Sequence, residues 1–518
     1  MGACKPGQGR KSAAISGNLQ VRRTSHREPA AKGGWGLETG GLVSQPQFQS
    51  PASNPQSPFP AMYDTIIIGA GMSGLAAGIR LAHFGQKVCI LERHSAIGGL
   101  NSFYRQGGRI FDVGLHAITN FVPKGTRTGP FAKLLRQLRL AWEEWALAPQ
   151  LGSAIMFPGV TLRFSNEQEL LEAEIRRQFP NQINNFRRLT AELQDYDQFG
   201  KAGAHRSARK AVADVIDEPL LAEMIFCPIL FYGGSQEHDI DFDQFSILFR
   251  AIFLEGLARP MAGIQLILKM LMQRFREHGG VLRRLAPVGK IVVKNGSVEK
   301  IILENGEELE AKNVLSSAGW SETLQMCDDN QASAADSPGR LSFIESISIL
   351  NRPPRSLGYD KTIVFYNDSE KFHYEKPDDL ADFRSGMVCS PNNFAYAQPL
   401  SEGVMRVSAL ANYDRWAALD SEAYQEAKRQ WYDRLAESAA RFVPDFRGAV
   451  IETDVFTPLT IHRFTGHADG AIYGSTKKSR DGTTHLKNLY ICGNDQGLVG
   501  IVGALLSGIS IANRHLLK

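Results

Sequence analysis

The sequence predicts an α/β protein, a Rossmann-type dinucleotide-binding domain interleaved with an α+β substrate domain. Three observations carry this. Tyr63 to Glu92 reads as a complete strand–glycine turn–helix–strand unit. Pro287 to Gly319 reads as a β-meander, with turn signals at Asn295-Gly296 and Asn305-Gly306. Between them, Thr119 to Gly200 carries apolar positions at three- and four-residue spacing, as the amphipathic helices of an inserted domain do.

The first unit is the most specific. Tyr63 to Ile68 is a short apolar run rich in β-branched residues, as a buried strand requires. Gly69, Gly71 and Gly74 form G-x-G-x-x-G before an alanine- and leucine-rich helix over Leu75 to Phe84. The glycines serve a tight turn, close backbone approach to a pyrophosphate, and helix–strand packing. The helix N-terminus offers unpaired N–H groups and the positive end of its dipole to the phosphates. Val88 to Leu91 then forms a second strand ending on Glu92, where a carboxylate accepts from ribose hydroxyls and repels a 2′-phosphate.

Length and composition narrow the class. A chain of 518 residues suits two domains, and 43% hydrophobic with 22% charged residues is globular composition. The net charge of +4 is small for this length. With no zinc spacing and no basic–aromatic stripe, neither a metal nor a nucleic acid is expected. Six scattered cysteines, several in apolar strands, suit buried thiols in a reducing compartment. No apolar run reaches the length of a spanning helix.

The remaining elements follow in order. Residues 1–61 are basic and rich in Pro, Gly and Ser, a disordered composition compatible with an organelle import signal. Because Met62 directly precedes the first strand, residues 1–61 are expected to be dispensable for folding. A protein starting at Met62 that failed to fold or to bind its cofactor would refute this. Thr119 to Gly200 shows helical, polar periodicity, and Lys201 to Arg209 reads as an exposed loop. Pro219 to Leu254 is rich in large apolar side chains. It reads either as helical core or as an aromatic tunnel or membrane-facing lip. Ala262 to Arg276 is helical. Residues 321–455 contain strand-like runs (SFIESISIL, KTIVFYN, GMVCS, VMRVSAL) and an amphipathic helix from Ser421, without an evident catalytic constellation. The expected organisation is a dinucleotide-binding domain in parts 62–118, 261–320 and 456–518, with a substrate domain in parts 119–260 and 321–455.

After Glu92 come the glycine pair Gly98-Gly99 and the FDVG segment, Phe111 to Gly114. Here the chain resembles the FAD-dependent amine-oxidase-like superfamily. Within it, the chain is most similar to the branch of phytoene desaturases, carotenoid isomerases and retinol saturases. The resemblance extends through TPLTIHRFTGHADGAIYGS and NLYICGNDQG and covers nearly everything from Met62 onward. Leu100 departs from the basic or polar residue usual after the glycine pair. The cofactor implied is FAD, in a Rossmann-type FAD-binding domain. In the N-terminal unit it would be held by Gly69, Gly71, Met72, Ser73, Gly74, Glu92 and Arg93. The glycine pair Gly98 and Gly99 would wrap it, Val288 would meet the adenine, and Gly493, Asp495 and Ile501 would hold the ribityl and flavin end.

The activity implied is flavin-dependent oxidoreduction of a carotenoid or related isoprenoid polyene. Desaturation stands first, with isomerisation or retinol-type saturation using the same site. An amine oxidase or a non-catalytic FAD or prenyl-lipid binding protein remain alternatives. His116, just after FDVG, would relay a proton or orient the flavin ring, or else serve structurally. His462 and Arg463 would flank the pocket, Arg463 stabilising the anionic reduced flavin or else forming a buried structural pair. The implied partners are a lipophilic polyene, a membrane surface contacted peripherally through Pro219 to Leu254, and a quinone or oxygen as electron acceptor. The expected location is cytoplasmic, or an organelle reached through residues 1–61.

Overall fold

A computed structural model describes residues 62–196, 206–329, 331 and 339–517. The extension 1–61, Cys4 and the start of the loop expected from Lys201 lie outside the described residues. The end of that stretch is already helical, since a helix spans Ala208–Ala213.

Two sheets organise the chain. In the first, the strand Tyr63–Ile68 lies at the centre of five parallel strands. Ala311–Ser316 and then Leu489–Ile491 extend it on one side, Val88–Glu92 and then Val281–Arg284 on the other. Purely parallel pairing needs helical crossovers that cover both faces, hence the buried, β-branched strand sequences. The helix Met72–His83 packs against Gly500–Ile511 and Ile264–Glu277. It begins three residues before the expected Leu75, because the third glycine of the turn is itself helical. The meander pairs Val288–Lys294 with Ser297–Leu303 and a short third strand, Glu308–Leu309.

The second sheet has seven strands. In spatial order they are Val450–Phe456, Ser342–Leu350, Gly403–Ala411, Ser385–Cys389, Ile363–Asn367, Ser153–Phe157 and Val160–Phe164. All neighbours are antiparallel except Ile363–Asn367 with Ser153–Phe157. Register sorts the side chains between two faces. On one, Val364, Val388, Met405 and Val407 pack with Trp431 and Leu435 of the helix Ser421–Ala440. On the other, Phe343, Phe365, Met387 and Leu410 pack with the helices Pro219–Gly233 and Phe242–Phe249.

Two expectations are corrected. The stretch from Thr119 to Gly200 is not purely helical: Ser153–Phe157 and Val160–Phe164 form a hairpin around Pro158-Gly159. Strong helical periodicity on either side obscured this pair of short strands. The aromatic stretch is not a membrane-facing lip. Phe226, Phe231, Phe242, Phe245, Phe249 and Phe253 are all buried. The helix Pro219–Gly233 is apolar nearly all round and is covered accordingly. Among the described residues no helix is long and apolar enough to cross a membrane. Cys89, Cys227, Cys327, Cys389 and Cys492 are free and buried, as expected.

Candidate functional site

The N-terminal glycine turn is built for close approach. Gly69 has φ of +95°, and its N–H bonds the carbonyl of Leu91 at 2.8 Å. A Cβ on Gly74 would stand 2.1 Å from the Gly69 carbonyl oxygen, so any side chain there would force the helix off the strand. A Cβ on Gly71 would meet nothing within 4 Å, leaving backbone facing open space beside the helix N-terminus at Met72 and Ser73. The pair Gly98-Gly99 returns against this turn: Gly98 bridges to Gly71, and its N–H bonds the Ala70 carbonyl at 2.9 Å.

Glu92 is buried at the strand end. One carboxylate oxygen accepts from the Ala70 N–H and the other from the His94 N–H, each at 2.9 Å. Each oxygen keeps a lone pair for a ribose hydroxyl. The Ala286 N–H bonds the Glu92 carbonyl at 2.9 Å and brings Val288 and the meander alongside. Arg93 is exposed, near Gly466.

The C-terminal motif meets the N-terminal one. A Cβ on Gly493 would lie 3.2 Å from the Ser73 hydroxyl oxygen. The Asp495 carboxylate is buried and accepts the N–H of Trp320 at 2.5 Å and of Ser475 at 2.6 Å. It therefore ties two neighbouring turns to this one. Ile501 sits in the first turn of Gly500–Ile511 with its side chain in the core. Lys478, which the sequence did not single out, donates to the Tyr473 carbonyl at 2.6 Å and lies 3.8 Å from Asp495. Burial pushes its ammonium down to about 8 against the opposing pull of Asp495.

His116 belongs to a buried ionic cluster on the second sheet. Arg406 stands mid-strand in Gly403–Ala411. It donates to Glu345 Oε1 at 2.5 Å, to the Leu115 carbonyl at 3.0 Å and to the Val113 carbonyl. His116 Nε2 lies 3.2 Å from the same Glu345 oxygen. Burial pushes the imidazole below its usual range, more strongly than Glu345 draws it up. Burial works to raise the Glu345 carboxyl, but Arg406 and His116 outweigh it and hold it low. Asp112 is structural: it accepts from Arg259 and from the Ile264 N–H at 3.0 Å, capping the helix Ile264–Glu277.

The structure does not bring Arg463 into this cluster. Arg463 is exposed on the helix Pro458–Thr465, its guanidinium 5.5 Å from the Phe464 ring centre, and Phe464 packs on His94. It is neither a buried structural pair nor a neighbour of His116. Among the described residues Arg406 and Arg259 are buried cations. The sequence signal of Arg406 is a charge inside an apolar strand (VMRVSAL, with Glu345 likewise in SFIESISIL).

Beside the C-terminal turn lies a small cavity of about 20 Å³, room for little more than one water. Ile247, Leu248 and Ala251 line it on one side, Leu498 and Val499 on another, with Tyr232, Thr119 and Asn120 also in its lining.

Residues 72–516 match the model of the flavin containing amine oxidoreductases, and the chain belongs to that family. It is 23% identical to a chloroplastic prolycopene isomerase of Daucus carota, over 87% of this chain and 80% of that protein. It is also 23% identical to the all-trans-retinol 13,14-reductase of Danio rerio (88% and 87% covered). With a lycopene-forming phytoene desaturase of Pseudescherichia vulneris the identity is 27% (77% and 86% covered). The fold is that of a Methanosarcina mazei oxidoreductase, with a TM-score of 0.59, 16% identity, and 87% of this chain and 99% of that one covered. The cofactor is FAD, and the open backbone at Gly71, the held Glu92 and the meeting of Gly493 with Ser73 fit a dinucleotide threaded between the two motifs.

Proposed function

We propose that this flavoprotein acts on an isoprenoid polyene, desaturating it by hydride removal, with isomerisation and saturation as the other outcomes open to the same site. The observation that carries this reading is the match to relatives named prolycopene isomerase, retinol reductase and phytoene desaturase, over 87%, 88% and 77% of this chain.

FAD, when bound, supplies a two-electron acceptor or donor at the flavin. The protein's share is binding, orientation and proton handling. The first turn of Met72–His83 and the glycine turn before it would hold the pyrophosphate. Arg406 pins Val113 and Leu115 to the sheet, which fixes the segment expected beside the flavin. An ionised Glu345 is acceptor-only, so the proton of the neutral His116 sits on Nε2. Nδ1 is then the basic nitrogen, available to take the proton that leaves the carbon next to the one losing hydride. The electron acceptor that reoxidises the flavin would be a quinone or oxygen.

Because a polyene partitions into bilayers, we also propose peripheral membrane contact, supplied by surfaces other than the buried stretch Pro219 to Leu254. Binding to phospholipid vesicles tests it, and full recovery in the unbound fraction would refute it. The catalytic reading is tested by coexpression with a phytoene-producing pathway and chromatography of the pigments. Lengthened conjugation identifies a desaturase, altered cis/trans ratio an isomerase, and shortened conjugation a saturase. Unchanged pigments, with FAD bound, would refute the reading.

A further inference from the structure

Residues 457–470 leave the second sheet and return to it. The stretch starts from the strand Val450–Phe456, runs through the helix Pro458–Thr465, and comes back where the Ser342 hydroxyl donates to the Gly470 carbonyl at 2.7 Å. Between these two feet it reaches the carboxyl edge of the first sheet. Phe464 packs its ring 5.5 Å from that of His94, which closely follows Glu92 in the chain. A Cβ on Gly466 would stand 2.5 Å from Arg93 Nη1, so the Arg93 guanidinium lies against this turn. On the other side the Ala468 N–H donates to Glu322 Oε1 at 2.9 Å, and His467 Nδ1 lies 3.4 Å from the same oxygen. Glu322 belongs to the helix Trp320–Met326, which follows the strand Ala311–Ser316.

These anchors flank the central strand. Val88–Glu92 and Ala311–Ser316 are the neighbours of Tyr63–Ile68 on either side, and both run parallel to it. Their ends stand two strand spacings apart, about 10 Å. Residues 464–468 bridge that gap and so pass over the end of the central strand, where the glycine turn begins at Gly69. The helix Pro458–Thr465 also packs on the turn Gly99–Asn101, beside the bridge of Gly98 to Gly71. In an open α/β sheet this edge is where a dinucleotide lies. Among the described residues no β-pairing ties the segment to the first sheet. A ring contact holds one end and a carboxylate the other, and Gly466 and Gly470, with φ of +79° and +61°, turn the chain on either side of His467. Burial works to lower the His467 imidazole, but Glu322 and Asp495 outweigh it, with Lys478 opposing them, and hold it above its usual range. Burial likewise works to raise the Glu322 carboxyl, and His467 and the Ala468 N–H hold it low. The contact is therefore charge-assisted.

We infer that residues 464–468 form a strap that closes over the bound FAD and gates its exchange, with Glu322 as the latch. The latch joins protein to protein. Weakening it speeds the entry and exit of FAD alike and leaves the affinity nearly unchanged. A residue that merely held FAD would behave otherwise, since its loss raises the release rate and Kd together.

The test follows release of FAD from purified holoprotein on dilution, read as the rise in flavin fluorescence, with Kd taken from the final level across a dilution series. E322Q should release FAD roughly tenfold faster, the worth of one charge-assisted hydrogen bond, while Kd moves less than about twofold. F464A frees the opposite end and should act in the same direction. E426Q breaks an exposed pair with Arg429 on the helix Ser421–Ala440 and should match the wild type. Release and Kd rising in proportion would overturn the inference, because the residues would then hold FAD rather than gate it. Unchanged release overturns it too, as does loss of FAD from both variants during purification. Faster release in only one of two folded variants also overturns it, since a strap needs both its ends. Where one variant fails to fold, the other decides alone.

Discussion

Arg406 Nη1 donates to the carbonyl oxygen of Leu115 at 3.0 Å across 291 residues of chain. The same guanidinium engages Glu345 and Val113, so one buried cation joins an inner strand of the seven-stranded sheet to the segment carrying His116. A buried charge held by three acceptors costs little once paired, but its loss strands the partner.

R406M should therefore cost about 3–5 kcal/mol, because it leaves the Glu345 carboxylate buried without its guanidinium. Urea unfolding monitored by circular dichroism measures this. A midpoint shift equivalent to less than about 0.5 kcal/mol would show that the cluster is not structurally important.

The depressed pKa of His116 fixes a pH dependence. The unfolded imidazole takes up a proton as pH falls through 6.5, while the folded one resists it. The stability it contributes is thus complete above pH 6.5 and is lost as pH falls towards the lower folded value, at up to about 1.4 kcal/mol per pH unit. H116Q should flatten this part of the stability profile. An unchanged slope would mean that other groups produce it.

Lys478 should act at the alkaline end. Its folded value of about 8 lies below the ordinary 10.5, so between these limits the unfolded state binds more protons. Stability should rise with pH across that window, by about 1 kcal/mol per unit, and not below it. K478M should abolish the rise, as read by urea midpoints at pH 8 and 10.

The two inner glycines should separate folding from cofactor binding. G74A places a methyl group 2.1 Å from a backbone oxygen and should destabilise the protein by about 3 kcal/mol. G71A has room, and its backbone is in an ordinary extended conformation. It should leave apoprotein stability within about 0.5 kcal/mol yet sharply lower the FAD content of purified protein. Equal effects of the two on stability would contradict the assigned roles.

The strand–turn–helix frame was legible because Gly69 to Gly74 are contiguous and act through backbone geometry, while Glu92 and Asp495 act through carboxylates that hold neighbouring backbone N–H groups. The His116 cluster was only half legible. His116 was marked by its place after FDVG, but Glu345 and Arg406 reach it through strand register, with Glu345 opposite Ser408 and Cys389 opposite Arg406. No linear spacing encodes that. Arg463 misled because a basic residue in a motif says nothing of which way its helix face points. The aromatics from Phe226 to Phe253 were ambiguous for a related reason, since a core and a lipid-facing surface share one composition.

The most direct test of the central claim offers purified, FAD-loaded protein a carotenoid or retinoid polyene and, in parallel, a set of primary amines, with the flavin first oxidised and then photoreduced. The account predicts a change in polyene absorbance and chromatographic identity in at least one flavin state, with no aldehyde formed from any amine. Aldehyde and hydrogen peroxide from an amine, with every polyene recovered unchanged, would contradict it.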